Sequence, residues 1–215
     1  MSKASTVTPS RRKERKTLAE KADEKRRGLL RAAAQLVGEF GYAGTSISRI
    51  AERAGFAQGT FYLYFEDRQD LFDQLLPTVG AGMLDYVTKA VRGSKDIFEV
   101  EERGFRAFFS YLVENPEFFR ILHEADVAAP KAFEIHFDLL ARRYLSAMKR
   151  ALERGQIKDY TLPELEVVVY MLFAARDYIY LKFMRGATAP QPLPDWVVST
   201  YLRFIRYGLA GEPKS

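Results

Sequence analysis

The sequence predicts an all-α chain of about nine helices. Three observations carry this. Apolar residues recur at i, i+3, i+4 and i+7 spacing through most of the 215 residues. No stretch alternates apolar and polar residues as a half-buried strand does. Segment ends are marked by the Ser, Thr, Asp, Gly and Pro that start and stop helices. There is no internal repeat.

In chain order, Ala22 to Phe40 carries Leu30, Ala33, Ala34 and Val37 on one face and ends at Gly41, where a C-cap glycine belongs. Thr45 or Ser46 can cap a second helix bearing Ile47, Ile50, Ala51 and Ala54, which Gly55 ends. A short third helix covers Gln58 to Phe65. Asp67 caps a fourth, expected to begin near Gln69, run to Arg92 and be bent or divided at Pro77. A fifth spans residues 97–114. Asn115-Pro116 opens a short sixth, and a longer seventh runs from Lys131 to Arg154, ending at Gly155. Thr161 and Pro163 start an eighth over 164–185, and a Pro-rich loop at 189–194 leads to a last helix over 195–208.

Composition narrows the function. Residues 1–27 hold ten Lys or Arg against four acids, a surplus of six, while the whole chain has a net charge of +5. The body is therefore near neutral and the basic charge sits in an N-terminal arm suited to a polyanion. The arm, residues 1–21, is expected to be flexible. It has few large apolar residues, which argues against membrane insertion. No run approaches the length of a membrane span, and no secretory signal pattern is present, so a cytoplasmic location is the default expectation. With no cysteine and two histidines, no metal site or cofactor is expected. No phosphate loop, HExxH or Gly-x-Ser-x-Gly pattern points to an enzyme.

The informative stretch is residues 46–65, a short helix, a glycine turn and a second short helix rich in exposed polar and aromatic residues, the shape of a helix-turn-helix. With 3.6 residues per turn, Phe61 and Phe65 lie about 40° apart and form the buried face with Phe56. Gly59 and Leu63 fall on the far side, flanked by Thr60 and Tyr62. Gly59, lacking a side chain, permits close backbone approach, and Gln58 suits an adenine edge. By angle, Tyr64 lies nearest the buried side.

The run SISRIAERAGFAQGTFYLYFEDRQDLF, with the preceding GYAGT, resembles the N-terminal DNA-binding segment of the tetracycline-repressor (TetR) family of transcriptional regulators. The close match covers about residues 27–73. The resemblance implies a three-helix DNA-binding domain at 22–67 and a C-terminal ligand-binding and dimerisation domain at 68–215. It also implies a homodimer on a palindromic operator, released by a small-molecule effector. Gln58, Gly59, Thr60, Tyr62, Leu63 and Tyr64 fall at recognition-helix positions, and Thr45 and Ser48 near the preceding helix start. Arg68 stands where the family usually has a phosphate-contacting lysine, which keeps the charge but changes its hydrogen-bond geometry. Leu63 is open to two readings, a thymine methyl or packing on the fourth helix.

The C-terminal portion is rich in aromatics, and VVVYMLFAA (167–175) is apolar all round, so it must be covered all round, either by a core on one side and a second subunit on the other or as a central core helix of a monomer. Arg176 and Asp177 interrupt this helix, and buried polar groups need partners. Pairing with neighbours, bridging a dimer and orienting a ligand are all open to them. Candidate ligand residues are Phe105, Phe109, Phe119, His123, Phe137, Tyr144, Phe173, Arg176 and Asp177. His123 and His136 read better as hydrogen-bonded structural residues. Arg120, Arg142, Arg143 and Arg176 suit an anionic head above an apolar pocket, as in an acyl-CoA or aromatic acid. The alternative is a constitutive or nonspecific DNA-binding protein with no effector.

Overall fold

The computed structural model describes residues 17–186 and 191–210, and every regular element among them is a helix. The elements are α1 (Leu18–Phe40), α2 (Ile47–Ala54), α3 (Gln58–Phe61), α4 (Arg68–Ala90), α5 (Ile97–Glu114), α6 (Phe118–Ala128), α7 (Pro130–Glu153), α8 (Leu162–Phe183) and α9 (Asp195–Ala210). The all-helical expectation holds, and most boundaries fall within two residues of those read from the sequence. No helix among the described residues is long and apolar enough to cross a membrane.

Three elements differ from expectation. Helix α1 begins four residues early, because Thr17 and Glu20 form a reciprocal capping box that satisfies the first free N–H groups. Residues 17–21, expected in the arm, are thus cap and helix, while residues 1–16 lie outside the described chain. Helix α3 is a single turn. Tyr62, Leu63 and Tyr64 form turns whose N–H groups bond Thr60 and Phe61 carbonyls. Pro77 sits inside α4 without dividing it. The flanking Leu75, Leu76, Gly80, Met83 and Leu84 are all buried, and that burial offsets the lost hydrogen bond.

Helices α1–α3 pack together at the N-terminal end, with α1 also against α4 and α6. The remaining helices form a bundle in which α4 packs on α5 and α7, α7 on α8, and α5 on α9. One continuous apolar core runs from Leu29 to Leu209. The two parts are therefore mechanically joined, chiefly through α4 and α6.

The α1–α6 contact is tight and polar. Arg120 Nη1 donates to the Gly38 and Glu39 carbonyls at 3.2 and 3.1 Å, its Nε pairs with Glu124 at 2.6 Å, and Glu124 accepts from the Tyr42 N–H at 2.8 Å. A Cβ on Gly38 would run into Glu117, so only glycine lets α1 approach α6 this closely. Arg120 is thus a joint between the two parts, not a pocket cation, correcting the sequence reading.

Candidate nucleic-acid interface and effector cavity

The helix-turn-helix is built from local signals. Ser46, not Thr45, caps α2, accepting from Arg49 N–H. Gly55 ends α2 at φ 74°, ψ 29°, with Gly55 N–H bonded to Glu52 O and Phe56 N–H to Ala51 O, which closes the turn in a Schellman pattern. Arg49 donates to Gly44 O at 2.6 Å and stacks on Phe40 at 3.9 Å, while Arg53 grips Glu39 through both guanidinium nitrogens. These two arginines hold the unit together. The Arg53–Glu39 contact holds the Glu39 carboxyl below its usual range.

The surface of this unit presents Ser48, Gln58, Gly59, Tyr62, Leu63 and Arg68 to solvent, with Thr60 half-buried. Nothing in the chain lies within contact distance of a Cβ built on Gly59, so that backbone is open to an outside partner. Tyr62 is 54% exposed, its ring edge against Phe61, which is itself fully buried with Phe65. Leu63 is 75% exposed, so it does not pack on α4. Tyr64 is half-buried against the core. Although α3 ends at Phe61, the exposure of Tyr62 and Leu63, the partial burial of Tyr64 and the burial of Phe61 and Phe65 are those the helical angles gave. Thr45 is withdrawn from the surface. It is fully buried and its hydroxyl donates to Gly41 O at 2.8 Å, so it braces the α1–α2 loop. Arg68 donates to Thr45 O at 3.5 Å and rests near Phe72, leaving its charge exposed.

A cavity of about 720 Å³ lies between α4, α5, α7 and α8. Its walls are mainly apolar, with Met83, Val87, Val100, Phe108, Leu140 and Ala147 among them. Of the candidate ligand residues, Phe137, Tyr144, Phe173, Arg176 and Asp177 line it. Phe105, Phe109, Phe119 and His123 do not. Phe105 stacks on Tyr201 at 3.9 Å and beside Phe109, and both are core. Phe119 stacks on Tyr180 at 3.6 Å, and His123 Nε2 lies 3.6 Å from Asp177, fixing α6 to α8.

The alternatives left open for Arg176 and Asp177 close differently. Arg176 is buried and donates to Glu101 (2.6 Å), Tyr201 Oη (2.9 Å), Tyr144 Oη (2.9 Å) and Leu172 O (3.0 Å). Glu101 also accepts from the Tyr201 hydroxyl at 2.5 Å and from Tyr144. Burial pulls the guanidinium pKa down, but the Glu101 charge and the hydrogen bonds Arg176 donates to Glu101 and Tyr201 outweigh it, leaving Arg176 firmly charged. Burial raises the Tyr201 phenol. Arg176 is thus neutralised inside the protein and is not a free cation for an anionic head. Arg142, Arg143 and Arg150 are exposed at the rim, and no described carboxylate lies within ion-pair distance of them.

Sequence reasoning missed Glu101 and Arg150, and misread His136. Glu101 sits in a charged stretch, VEERGFR, with nothing to separate it from its solvent-facing neighbours. His136 lines the cavity, and its Nε2 is buried with no hydrogen-bond partner among the described residues, contrary to the hydrogen bonding expected of it. Burial lowers its pKa to about 4. A Cβ on Gly80 would run into its Nδ1 and Cε1, so Gly80 is where the imidazole meets α4.

Helix α8 buries Leu165, Val169, Leu172, Phe173 and Arg176 and exposes Val167, Tyr170, Met171 and Tyr178 on other faces. Helix α9 adds exposed Trp196, Phe204 and Tyr207. Large apolar faces of this kind mark association surfaces.

Residues 29–75 match the family model described as bacterial regulatory proteins, tetR family. The HTH-type transcriptional regulator YhgD of Bacillus subtilis, itself uncharacterized, is 24% identical over 61% of this chain and 69% of its own. Two other curated regulators are matched over only 37% and 60% of their lengths, so the chain spans less than two thirds of them. Among solved structures, the fatty acid degradation regulator FadR from Bacillus halodurans is 19% identical with a TM-score of 0.70, over 92% of this chain and 97% of that one. FadR from Bacillus subtilis, solved in complex with stearoyl-CoA, is 17% identical with a TM-score of 0.71, over 85% and 98%. At these identities the structures show the fold alone. Residues 29–75 thus carry the helix-turn-helix segment of the tetR family of bacterial regulatory proteins, and the described helices share the fold of the two FadR structures.

Proposed function

We propose that this regulator is a homodimer that binds a palindromic operator through its helix-turn-helix and releases it when an amphipathic anion, of the acyl-CoA or aromatic-acid class, enters the cavity. The observation that carries the effector assignment is the large apolar cavity whose rim holds three arginines without carboxylate partners. An apolar enclosure with a few placed polar groups is how small-molecule sites are built. Guanidinium groups suit phosphate and carboxylate heads. The stearoyl-CoA complex of the Bacillus subtilis FadR, a chain of the same fold, supports the same class.

On this reading the chain divides at Asp67 into a DNA-binding unit and an effector unit. Ser48, Gln58, Gly59, Thr60, Tyr62, Leu63, Tyr64 and Arg68 form the DNA surface. The apolar faces of α8 and α9 pair two copies, setting the recognition elements about 34–36 Å apart, one turn of duplex. Effector entry favours a state in which that spacing no longer matches. The test is a gel shift on the DNA upstream of the regulator's own gene, with random DNA as competitor at rising salt. Selective retention is the expected result. Uniformly weak binding erased by salt supports the nonspecific alternative instead.

A further inference from the structure

We propose that α1 extends the DNA surface beyond the helix-turn-helix, with Lys21 and Lys25 holding backbone phosphates of the bound duplex. This rests on the DNA-binding reading above. Along α1, Lys21, Lys25, Gly28, Ala32 and Glu39 form one stripe, all within about 40° of Lys21 around the helix. The stripe is the face that α1 turns toward the helix-turn-helix. Glu39 accepts from two guanidinium nitrogens of Arg53 in α2, at 2.6 and 3.0 Å. Ala32 is buried, and a Cβ on Gly28 would touch the Phe56 ring at 3.4 Å. Lys25 and Lys21 continue the same stripe roughly 5 and 10 Å past that ring along the axis. Phe56 lies in the turn just before α3, where Gln58 and Gly59 are exposed. The other end of α1 is fixed to α6 through Gly38 and Arg120, so the lysine-bearing end points away from the effector bundle.

The charges on these turns are sorted. Arg26 donates to Gln74 and lies over the Phe65 ring at 5.7 Å, and Arg27 pairs with Asp23 at 3.0 Å. Lys21 and Lys25 are exposed, and neither ammonium has a hydrogen-bond or ion-pair partner among the described residues. The acids stand off the stripe, with Glu24, Glu20 and Asp23 about 60°, 100° and 160° around from Lys21. Thr17 and Glu20 already cap the helix start, so the free charge is that of the side chains. A hydrated ammonium on a flexible stem suits a phosphate oxygen and reads no base edge. These lysines therefore add affinity and fix position without adding sequence preference.

The experiment measures binding of the full chain to the duplex upstream of its own gene and to a random duplex of equal length, over a range of salt. The Lys21→Ala, Lys25→Ala double variant should lose at least about tenfold in affinity, by the same factor for both duplexes. Its plot of log affinity against log salt should be shallower by about two per bound protomer. Alanine is the stronger helix former, so the helix is kept. Lys21→Arg with Lys25→Arg should restore the slope. Lys149→Ala with Lys158→Ala removes the same charge from exposed sites at and beyond the far end of α7, and should change neither quantity. An unchanged slope in the Lys21, Lys25 alanine variant overturns the proposal, as does an equal loss in the Lys149, Lys158 variant or a loss confined to the upstream duplex. Wild type that binds neither duplex defeats the DNA-binding reading itself, whereas wild-type binding with an unchanged slope in the variant defeats only this extension.

Discussion

Replacing Arg176 with methionine should cost more stability than any surface change, because it strands a buried carboxylate. Glu101 is 3% exposed, and its ion-pair partner is the Arg176 guanidinium. Without that charge, Glu101 keeps only the Tyr144 and Tyr201 hydroxyls. Removing one partner of a buried pair costs about 3–5 kcal/mol, a large share of the 5–15 kcal/mol typical of folded domains. Urea unfolding followed by circular dichroism should show a midpoint lower by about 1–2 M. Adding Glu101→Gln should recover most of the loss, since no charge then remains to desolvate. A single variant losing under about 1 kcal/mol, or a double variant no more stable than the single, would refute the reasoning.

Three other outcomes follow from named contacts. Tyr62→Ala should weaken operator binding by about 1–3 kcal/mol with little change in melting temperature, because Tyr62 is half exposed, as fluorescence anisotropy and thermal melts can check. Arg120→Ala should leave effector affinity nearly unchanged but reduce the effector's leverage on DNA, by a share of a typical 1–3 kcal/mol coupling, since Arg120 joins α6 to the end of α1. Measuring operator affinity with and without saturating effector reads this directly. His136, held at a folded pKa of about 4 against an ordinary 6.5, contributes stability that is full above pH 6.5 and lost as pH falls through that window. Wild type should therefore lose about 3 kcal/mol relative to His136→Phe between pH 6.5 and 4, and parallel pH–stability curves would contradict the burial argument.

The helices were legible because capping and periodicity are local. Thr161, Asp67 and Gly55 acted where the sequence put them. The exposed and buried sides of the helix-turn-helix were legible in outline, since Gln58, Gly59 and Tyr62 are outside and Phe61 and Phe65 inside. Thr45 was misread because a threonine next to a capping serine looks equally available, and only the fold of the α1–α2 loop buries it. The cavity was harder. Its aromatics share composition and spacing with core aromatics such as Phe105, and which of them borders a void depends on how α4, α5, α7 and α8 are spaced. Arg176 was visible as an anomaly, but its partner Glu101 lies 75 residues away, and no local pattern pairs them. His136 was visible only as one of two histidines, and Gly80's part in seating it depends on packing between α4 and α7.

The central claim is that rim arginines and an apolar cavity connect an amphipathic anion to DNA release. The most direct test is anisotropy of a labelled operator bound by the protein, titrated with octadecanoyl-CoA, for wild type and for an Arg143→Ala, Arg150→Ala double variant. The account expects wild type to release the operator at stoichiometric acyl-CoA, and the variant to bind DNA normally yet need at least about tenfold more ligand. Release at the same acyl-CoA concentration by both proteins, or an operator complex that acyl-CoA leaves intact in both, would contradict it.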